Sequence, residues 1–507
     1  MIISLSVLVI TIIVSGTYAL YKAQLSKNIG VNTTTHGLAY YINYVKGTDI
    51  TAATLNPSTS YEGGASSDIE FWKKDDSYDI YGKIELTVNT IGTNLSNSPA
   101  LKYAVVNNGN VLKEGSLKGT TSGSKVTILK NLYLEQTKQI YTVYVWLDNS
   151  EELGNISNES LSISVDCTAS LQKEPTAADT IISLYTSAAK VTATNNSITY
   201  NTAPSVSLMN DRLGGTTTSL DGGNIRYYGA SPNNYIYFNC SDYSNQTSST
   251  CETWRIIGVF DGKLKLIRGS QIGKYSWDNK NISTGAENNS GKNDWTTARL
   301  MKLLNPRDYY KVDSNDNNLG QSLYYNSASG KCYSGQNNAT VDCDFTSTGI
   351  KNDETRNMIA ETTYYLGGWN SYSVYPNEIY EYERGTTVYT GRPPTWPGKI
   401  ALAYPSDYGY AADLNQCKDK TLYDYDNSTC TSNNWMKAIL GTSSHGWLLT
   451  PRSGGSYNAW NVYSGGYVGS TYLAYYAIGA VPVLSLSSKL GIESGDGSSS
   501  NPYKLSA

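Results

Sequence analysis

The sequence predicts a mainly β chain, an N-terminal β-sandwich followed by a larger α+β domain. Three observations carry this expectation. Before residue 170 the periodic stretches alternate apolar and polar residues with no helical run between them. Beyond about residue 226 short strands are mixed with a few short helices and long Gly-, Ser- and Asn-rich loops. Six of the seven cysteines stand in that second region as three near pairs.

Length and composition bound what such a chain does. At roughly 100–200 residues per domain, 507 residues imply at least two domains. Lys+Arg number 39 against 43 Asp+Glu, a formal charge of −4 with no basic run, so a phosphate-binding surface has no basis and nucleic acid is not an expected partner. With 2 His in the chain, His36 and His445, His-rich metal sites are excluded. Tyrosine outnumbers phenylalanine 44 to 4, which points to rings used where the hydroxyl stays wet.

Taken in order, residues 1–27 hold an apolar run, 2–14, extendable to Tyr21. The short form fits a signal peptide cleaved after Ala19; the extended form would span roughly 30 Å as a helix and serve as a membrane anchor. Residues 28–170 form the expected sandwich. Residues 81–88, 101–105 and 140–147 read as strands, and Asn107-Asn108-Gly109-Asn110 as a hairpin turn. In 161–167 the odd positions are apolar, which places Cys167 on a buried face as an inert thiol.

Residues 171–222 read as a linker: a helix over 177–185, capped at Thr176 with Asp179 in its first turn, then a Ser/Thr/Asn-rich stretch. Residues 223–507 form the second domain. It opens with a strand at 235–238 and a hairpin, 254–260 and 263–268 about Asp261-Gly262, and its helices are expected at 297–304 and 353–366. The pairs Cys240/Cys251, Cys332/Cys343 and Cys417/Cys430 are separated by 11, 11 and 13 residues and bracket polar loops. Without Cys-x-x-Cys spacing or neighbouring His they read as local disulfides, which persist only in oxidising surroundings. The chain is therefore expected outside the cell, at the surface or secreted.

Trp447-Leu448-Leu449-Thr450-Pro451-Arg452, Gly479-Ala480-Val481-Pro482-Val483, Ser494-Gly495-Asp496-Gly497, Cys251-Glu252-Thr253-Trp254-Arg255, Asn293-Asp294-Trp295 and Tyr404-Pro405-Ser406-Asp407-Tyr408-Gly409 together carry a family signature. The region from about 223 to 506 resembles bacterial exported domains related to the formylglycine-generating-enzyme and C-type-lectin-like folds. Val481 stands where those relatives often carry Arg. The first domain is similar in layout to camelysin-like matrix-fibre proteins. The resemblance implies a C-type-lectin-like fold for 223–507. It does not carry over the oxidase activity, which needs a late pair of copper-binding cysteines; no cysteine follows Cys430. The Glu-Pro-Asn and Trp-Asn-Asp calcium motifs of true lectins are also missing; Trp369-Asn370-Ser371 and Trp460-Asn461-Val462 only echo the second.

Candidate chemistry is sparse. His445 has no nucleophile partnered by sequence pattern. Asp313-Ser314-Asn315-Asp316-Asn317-Asn318 lacks the glycine and terminal Glu of a calcium hand. Glu381 and Glu383 are expected on one face of a strand as solvated charges. No catalytic residue, metal site or cofactor is expected. The remaining candidate is a ligand-binding face: Tyr457, Trp460, Tyr463, Tyr467, Tyr472 and Tyr475, interleaved with Gly, Ser and Asn, a composition of recognition loops. The expected function is that of an adhesin-like surface protein binding an extracellular protein or carbohydrate. The alternative is a self-assembling subunit of a fibre or matrix. An enzyme of the formylglycine-generating type has the least support.

Overall fold

The computed structural model describes residues 23–24, 41–51, 55–156, 159–196, 198–213, 222–278, 289–311, 322–326, 331–332, 341–342, 344–442 and 444–506. The chain forms two compact units, 1–174 and 175–507. Most of residues 1–27 and His36, Asp313 and Asn318 lie outside the described residues. Among the described residues no helix is long and apolar enough to cross a membrane.

The first unit is built from two mainly antiparallel sheets. One runs Ala23–Gln24, Leu161–Ser170, Tyr81–Ile91, Lys125–Tyr133; the other Ile42–Val45, Ala65–Lys73, Ile140–Asp148, Leu101–Asn107, Asn110–Ser116. Ala23–Gln24 joins the sheet before the expected domain start at residue 28. Alternation decides the burial: Ile84, Leu86 and Val88 are buried while Lys83, Glu85 and Thr87 are part-exposed. These residues share one apolar core with Val165 and Cys167 of the same sheet and Ile69, Phe71, Val143 and Val145 of the other. The hairpin turn expected at 107–110 forms, with Asn108 and Gly109 at φ 48° and 76°, the positive pair that a tight hairpin needs. Cys167 is a buried free thiol whose pKa burial raises well above its ordinary value.

The expectation of a linker over 171–222 is corrected by the second unit, which begins at Pro175. The helix Ala177–Ser187 carries Ala177, Ala178, Ile181 and Tyr185 on one face, and this face is buried in the main core with Trp254, Leu264 and Leu266. Its capping box forms as the sequence predicts, Thr176 Oγ1 accepting from the Asp179 amide at 3.1 Å. The Ser/Thr/Asn-rich stretch supplies three strands, Val191–Asn195, Ile198–Ala203 and Leu208–Asn210, to a nine-stranded sheet. That sheet continues through Ile225–Tyr227, Glu252–Phe260, Lys263–Arg268, Val483–Ser485 and Ile400–Ala401. The Asp261-Gly262 hairpin is its centre.

A second sheet of five strands runs Gly273–Ser276, Ala477–Ala480, Gly446–Pro451, Asn458–Val462, Val468–Leu473. The helix expected at 353–366 ends at Met358. Thr362–Tyr365 is instead a strand paired with Thr395–Gly398, as its β-branched and aromatic residues favour. Cys240–Cys251 and Cys417–Cys430 are disulfides. Of the expected Cys332–Cys343 pair, Cys343 lies outside the described residues.

Candidate ligand-binding face

The face is assembled on the outer strands of the five-stranded sheet. Asn458–Val462 and Val468–Leu473 form a hairpin closed by the Tyr463 amide donating to the Tyr467 carbonyl at 2.9 Å. Tyr463, half-buried, folds its ring back over Gly469. A Cβ at Gly469 would stand 2.5 Å from Tyr463 Cε2, so the missing side chain makes the seat for the ring. Gly469→Val is expected to evict Tyr463 and cost about 1–3 kcal/mol in denaturant unfolding, as overpacking does; an unchanged midpoint would refute the seat.

From Tyr463 the rings form a path. Tyr467 stacks on Tyr463 at 4.2 Å and 12° between planes. Tyr423 meets Tyr467 at 5.7 Å and Tyr372 at 4.8 Å. In the other direction Tyr472 lies 5.6 Å from Tyr463, Tyr476 5.0 Å from Tyr472, and Tyr475 4.7 Å from Tyr476. Three separated segments thus supply seven rings. Tyr423 is 48% exposed and the other six are part-exposed. The Cys417–Cys430 disulfide closes the loop that presents Tyr423. Burial raises the hydroxyl pKa of Tyr463, Tyr467 and Tyr472, so these rings stay neutral.

His445 sits in the bend of the path, 4.6 Å from Tyr463 and 5.3 Å from Tyr472. Its Nδ1 accepts from the Ser464 amide at 3.0 Å, which puts the ring proton on Nε2, and burial lowers its pKa. Acidification through and below the ordinary histidine range protonates Nδ1 and sets two donors against each other. Because the folded pKa is depressed, the stabilisation is present above the unfolded value, near 6.5, and is lost as pH falls through the folded one.

Of the six residues expected on this face, Tyr463, Tyr467, Tyr472 and Tyr475 belong to the ring path. Tyr457 is part-exposed at the far end of the hairpin and lies off the path. Trp460 is a correction: it is 0% exposed, on the opposite side of the strand, packed with Leu448, Val462 and Val468. Strand alternation is the reason, because Asn461 and Tyr463 take the ring side and Trp460 and Val462 the other. Tyr372, Tyr423 and the amide of Asn461 are not singled out by sequence reading. The available signals were Tyr423 inside a disulfide loop and Asn461 in the Trp460-Asn461-Val462 echo of a lectin motif. Asn461 is 0% exposed, and both its Oδ1 and Nδ2 lack a hydrogen-bond partner among the described residues, a cost of about 1–3 kcal/mol for each atom if left unmet.

No family model matches the chain, and no curated protein matches it. Among solved structures the chain is similar to an acetyl xylan esterase, Est2A, from the rumen bacterium Butyrivibrio proteoclasticus at 13% identity and TM-score 0.15, covering 31% of this chain and 34% of that one. It is similar to the receptor-binding domain of botulinum neurotoxin mosaic serotype C/D at 12% identity and TM-score 0.15, over 52% of this chain and 75% of that one. A PBCV-1 virus capsid chain matches at 11% identity and TM-score 0.13, over 43% and 59%. At these scores none carries an argument about fold or activity.

A second polar cluster is internal. Arg226 donates to Asp211 at 2.5 Å and to Asp407 at 3.2 Å, and Lys265 pairs with the other Asp407 oxygen, all four side chains being buried. Burial lowers the Lys265 pKa. Burial opposes ionisation of Asp407 too, but the Lys265 and Arg226 charges hold its carboxyl below the ordinary range. Glu383 is a correction to the expected solvated strand pair: it lies on the helix Pro376–Arg384, fully buried, while Glu381 is exposed. The Glu383 carboxyl accepts from the Ser406 amide at 2.9 Å and the Ser406 hydroxyl at 2.5 Å, with Arg384 at 3.3 Å. Burial pushes its pKa up to about 7 against these donors. Two carboxylates facing a shared substrate are what glycoside hydrolysis requires, and an exposed Glu381 with a buried Glu383 do not provide them. Among the described residues no group of three or more His, Cys, Asp or Glu is placed to hold a metal.

Proposed function

We propose that the protein is an adhesin-type recognition protein displayed outside the cell, its first unit a β-sandwich, its second a lectin-like domain that binds an extracellular protein or glycan through the ring path. The observation that carries this reading is the path itself. Seven tyrosines from three segments converge on one face and keep part of their surface in water, although the same unit buries five tryptophan side chains completely. Accessible contiguous rings among small polar residues are what recognition surfaces use. The two disulfides fit an oxidising compartment.

The test is an array of glycans and extracellular-matrix proteins probed with the whole chain. Tyr423→Ala combined with Tyr467→Ala is expected to weaken capture of every genuine target at least tenfold, about 1.4 kcal/mol, without unfolding the protein. Targets captured equally by this variant would sink the proposal.

A second reading, a fibre or matrix subunit, has one observation in its favour. Among the described residues Asn110–Ser116 is an edge strand, with Val111 and Leu112 44% and 37% exposed, an edge that another copy could pair with. If it assembles the chain, Val111→Lys abolishes concentration-dependent filaments in electron micrographs; their absence from wild-type samples would dismiss it.

A further inference from the structure

Asn461 lies under the ring path. The strand register sets it opposite Trp447 on one side and Gly469 on the other. Gly469 is the position covered by the Tyr463 ring, and the Tyr472 ring packs 6.0 Å from Trp447 and 5.6 Å from Tyr463. Asn461 and Tyr463, two residues apart, share this face. The buried amide therefore lies on the side of the sheet that carries these rings, and its Nδ2 and Oδ1 are met by no protein group among the described residues. Leucine would fill similar space without that penalty, so a buried amide here calls for a partner from outside the chain, an ordered water or a ligand group that displaces it.

The chemistry of the surroundings narrows the partner. Residues 453–476 and 442–451 contain no Asp, Glu, Lys or Arg. Charged side chains flank the ends of the path, Asp426 beside Gly465 and Lys437 beside Gly466 at the Tyr467 end, and Asp278, whose amide donates to the Ala474 carbonyl, next to Tyr475. His445 is neutral while Nδ1 accepts from Ser464. A phosphate or carboxylate ligand would meet no cation supplied by residues 442–451 or 453–476. What fits is an uncharged molecule with flat apolar faces and adjacent groups that each donate and accept. Pyranose rings with neighbouring hydroxyls have both properties.

We infer that the ligand of this face is an uncharged oligosaccharide, its sugar faces stacked on Tyr467, Tyr463 and Tyr472 and one pair of hydroxyls bonded to Asn461 when the part-exposed Tyr472 ring turns aside. This rests on the recognition reading above and names the ligand class for the same site.

The experiment probes the whole chain against an array of neutral, sialylated and sulfated oligosaccharides together with matrix proteins, then titrates the best neutral oligosaccharide into wild type, Asn461→Leu and the Tyr423/Tyr467 double alanine variant. Neutral oligosaccharides are expected to bind. Asn461→Leu is expected to lose at least tenfold in affinity while its unfolding midpoint stays equal or rises. The Asn461 side-chain amide resonances of the wild type, followed by NMR, are expected to shift on titration, a readout that holds even if the leucine variant misfolds. Targets that are only proteins or anionic glycans, yet are lost in the double tyrosine variant, overturn this inference and leave the recognition reading standing. Targets indifferent to the tyrosines overturn both. Neutral-sugar binding with no amide shift, or full affinity in Asn461→Leu, removes Asn461 from the site and overturns the inference.

Discussion

Asp407→Ala is expected to destabilise the second unit by about 3–5 kcal/mol, the cost of removing one member of a buried ion pair. Asp407 occupies the first turn of the helix Pro405–Tyr410, where one carboxylate oxygen accepts from the Tyr404 amide at 3.0 Å as well as from Lys265, and the other meets Arg226. Two buried cations and two buried carboxylates balance in this cluster. Without Asp407, Lys265 keeps no carboxylate partner in it and Arg226 keeps only Asp211. A lost cap adds about 0.5–2 kcal/mol. Against a typical domain stability of about 5–15 kcal/mol this threatens folding. Asp407→Asn preserves shape and the cap acceptor but leaves one positive charge uncompensated. Because burial already lowers the Lys265 pKa, that variant is expected to recover as pH rises and Lys265 gives up its proton. Denaturant titrations followed by tryptophan fluorescence measure both. A loss under about 1 kcal/mol for the alanine variant would mean that the cluster is solvated and the burial argument wrong.

The parts of the fold that were legible are those where local pattern and tertiary environment agree. Residues 81–88 alternate because one face meets the core, and Asp261-Gly262 and Asn108-Gly109 specify their hairpins through backbone conformation alone. The helix after Thr176 was equally plain from its cap. What a single sequence hid was its membership of the second unit, since an apolar face of four residues does not say which core receives it. Thr362–Tyr365 continued a helical reading until a partner strand, Thr395–Gly398, distant in sequence, claimed it.

The candidate site divides in the same way. Four of the six expected residues lie on the path because their density along the chain was high. Trp460 was misplaced because composition ignores strand parity, and parity follows from the hairpin register, including the irregularity between Ala459 and Asn461. Tyr372 and Tyr423 come from elsewhere in the chain and only the fold brings them in. Glu383 reads as a surface charge in Tyr380-Glu381-Tyr382-Glu383-Arg384. Its burial depends on the helix Pro376–Arg384 packing its Ile379, Tyr380 and Glu383 face inward, with Ser406 supplying two donors and Arg384 a third.

That buried glutamate makes the last large prediction. Its folded pKa, about 7, stands above the ordinary value of 4.5, so the native state holds a proton that the unfolded chain releases between those limits. Stability therefore falls as pH rises from about 4.5 to 7 and is level above, by the linkage between proton uptake and folding. At about 1.4 kcal/mol per pKa unit the full swing is on the order of 3 kcal/mol. His445 and Asp407 have depressed pKa values and act in the opposite sense, losing stability as pH falls, so the wild-type curve alone mixes the contributions. Glu383→Gln separates them. Its carbonyl still accepts from the Ser406 amide, its amide group replaces the proton of the neutral acid, and it has nothing to titrate. The stability difference between wild type and Glu383→Gln, measured by urea unfolding from pH 4 to 8, is expected to move steadily in favour of the glutamine between pH 4.5 and 7. A difference that stays flat across that window would mean that Arg384 keeps Glu383 ionised and that the carboxylate, not the acid, is the native form.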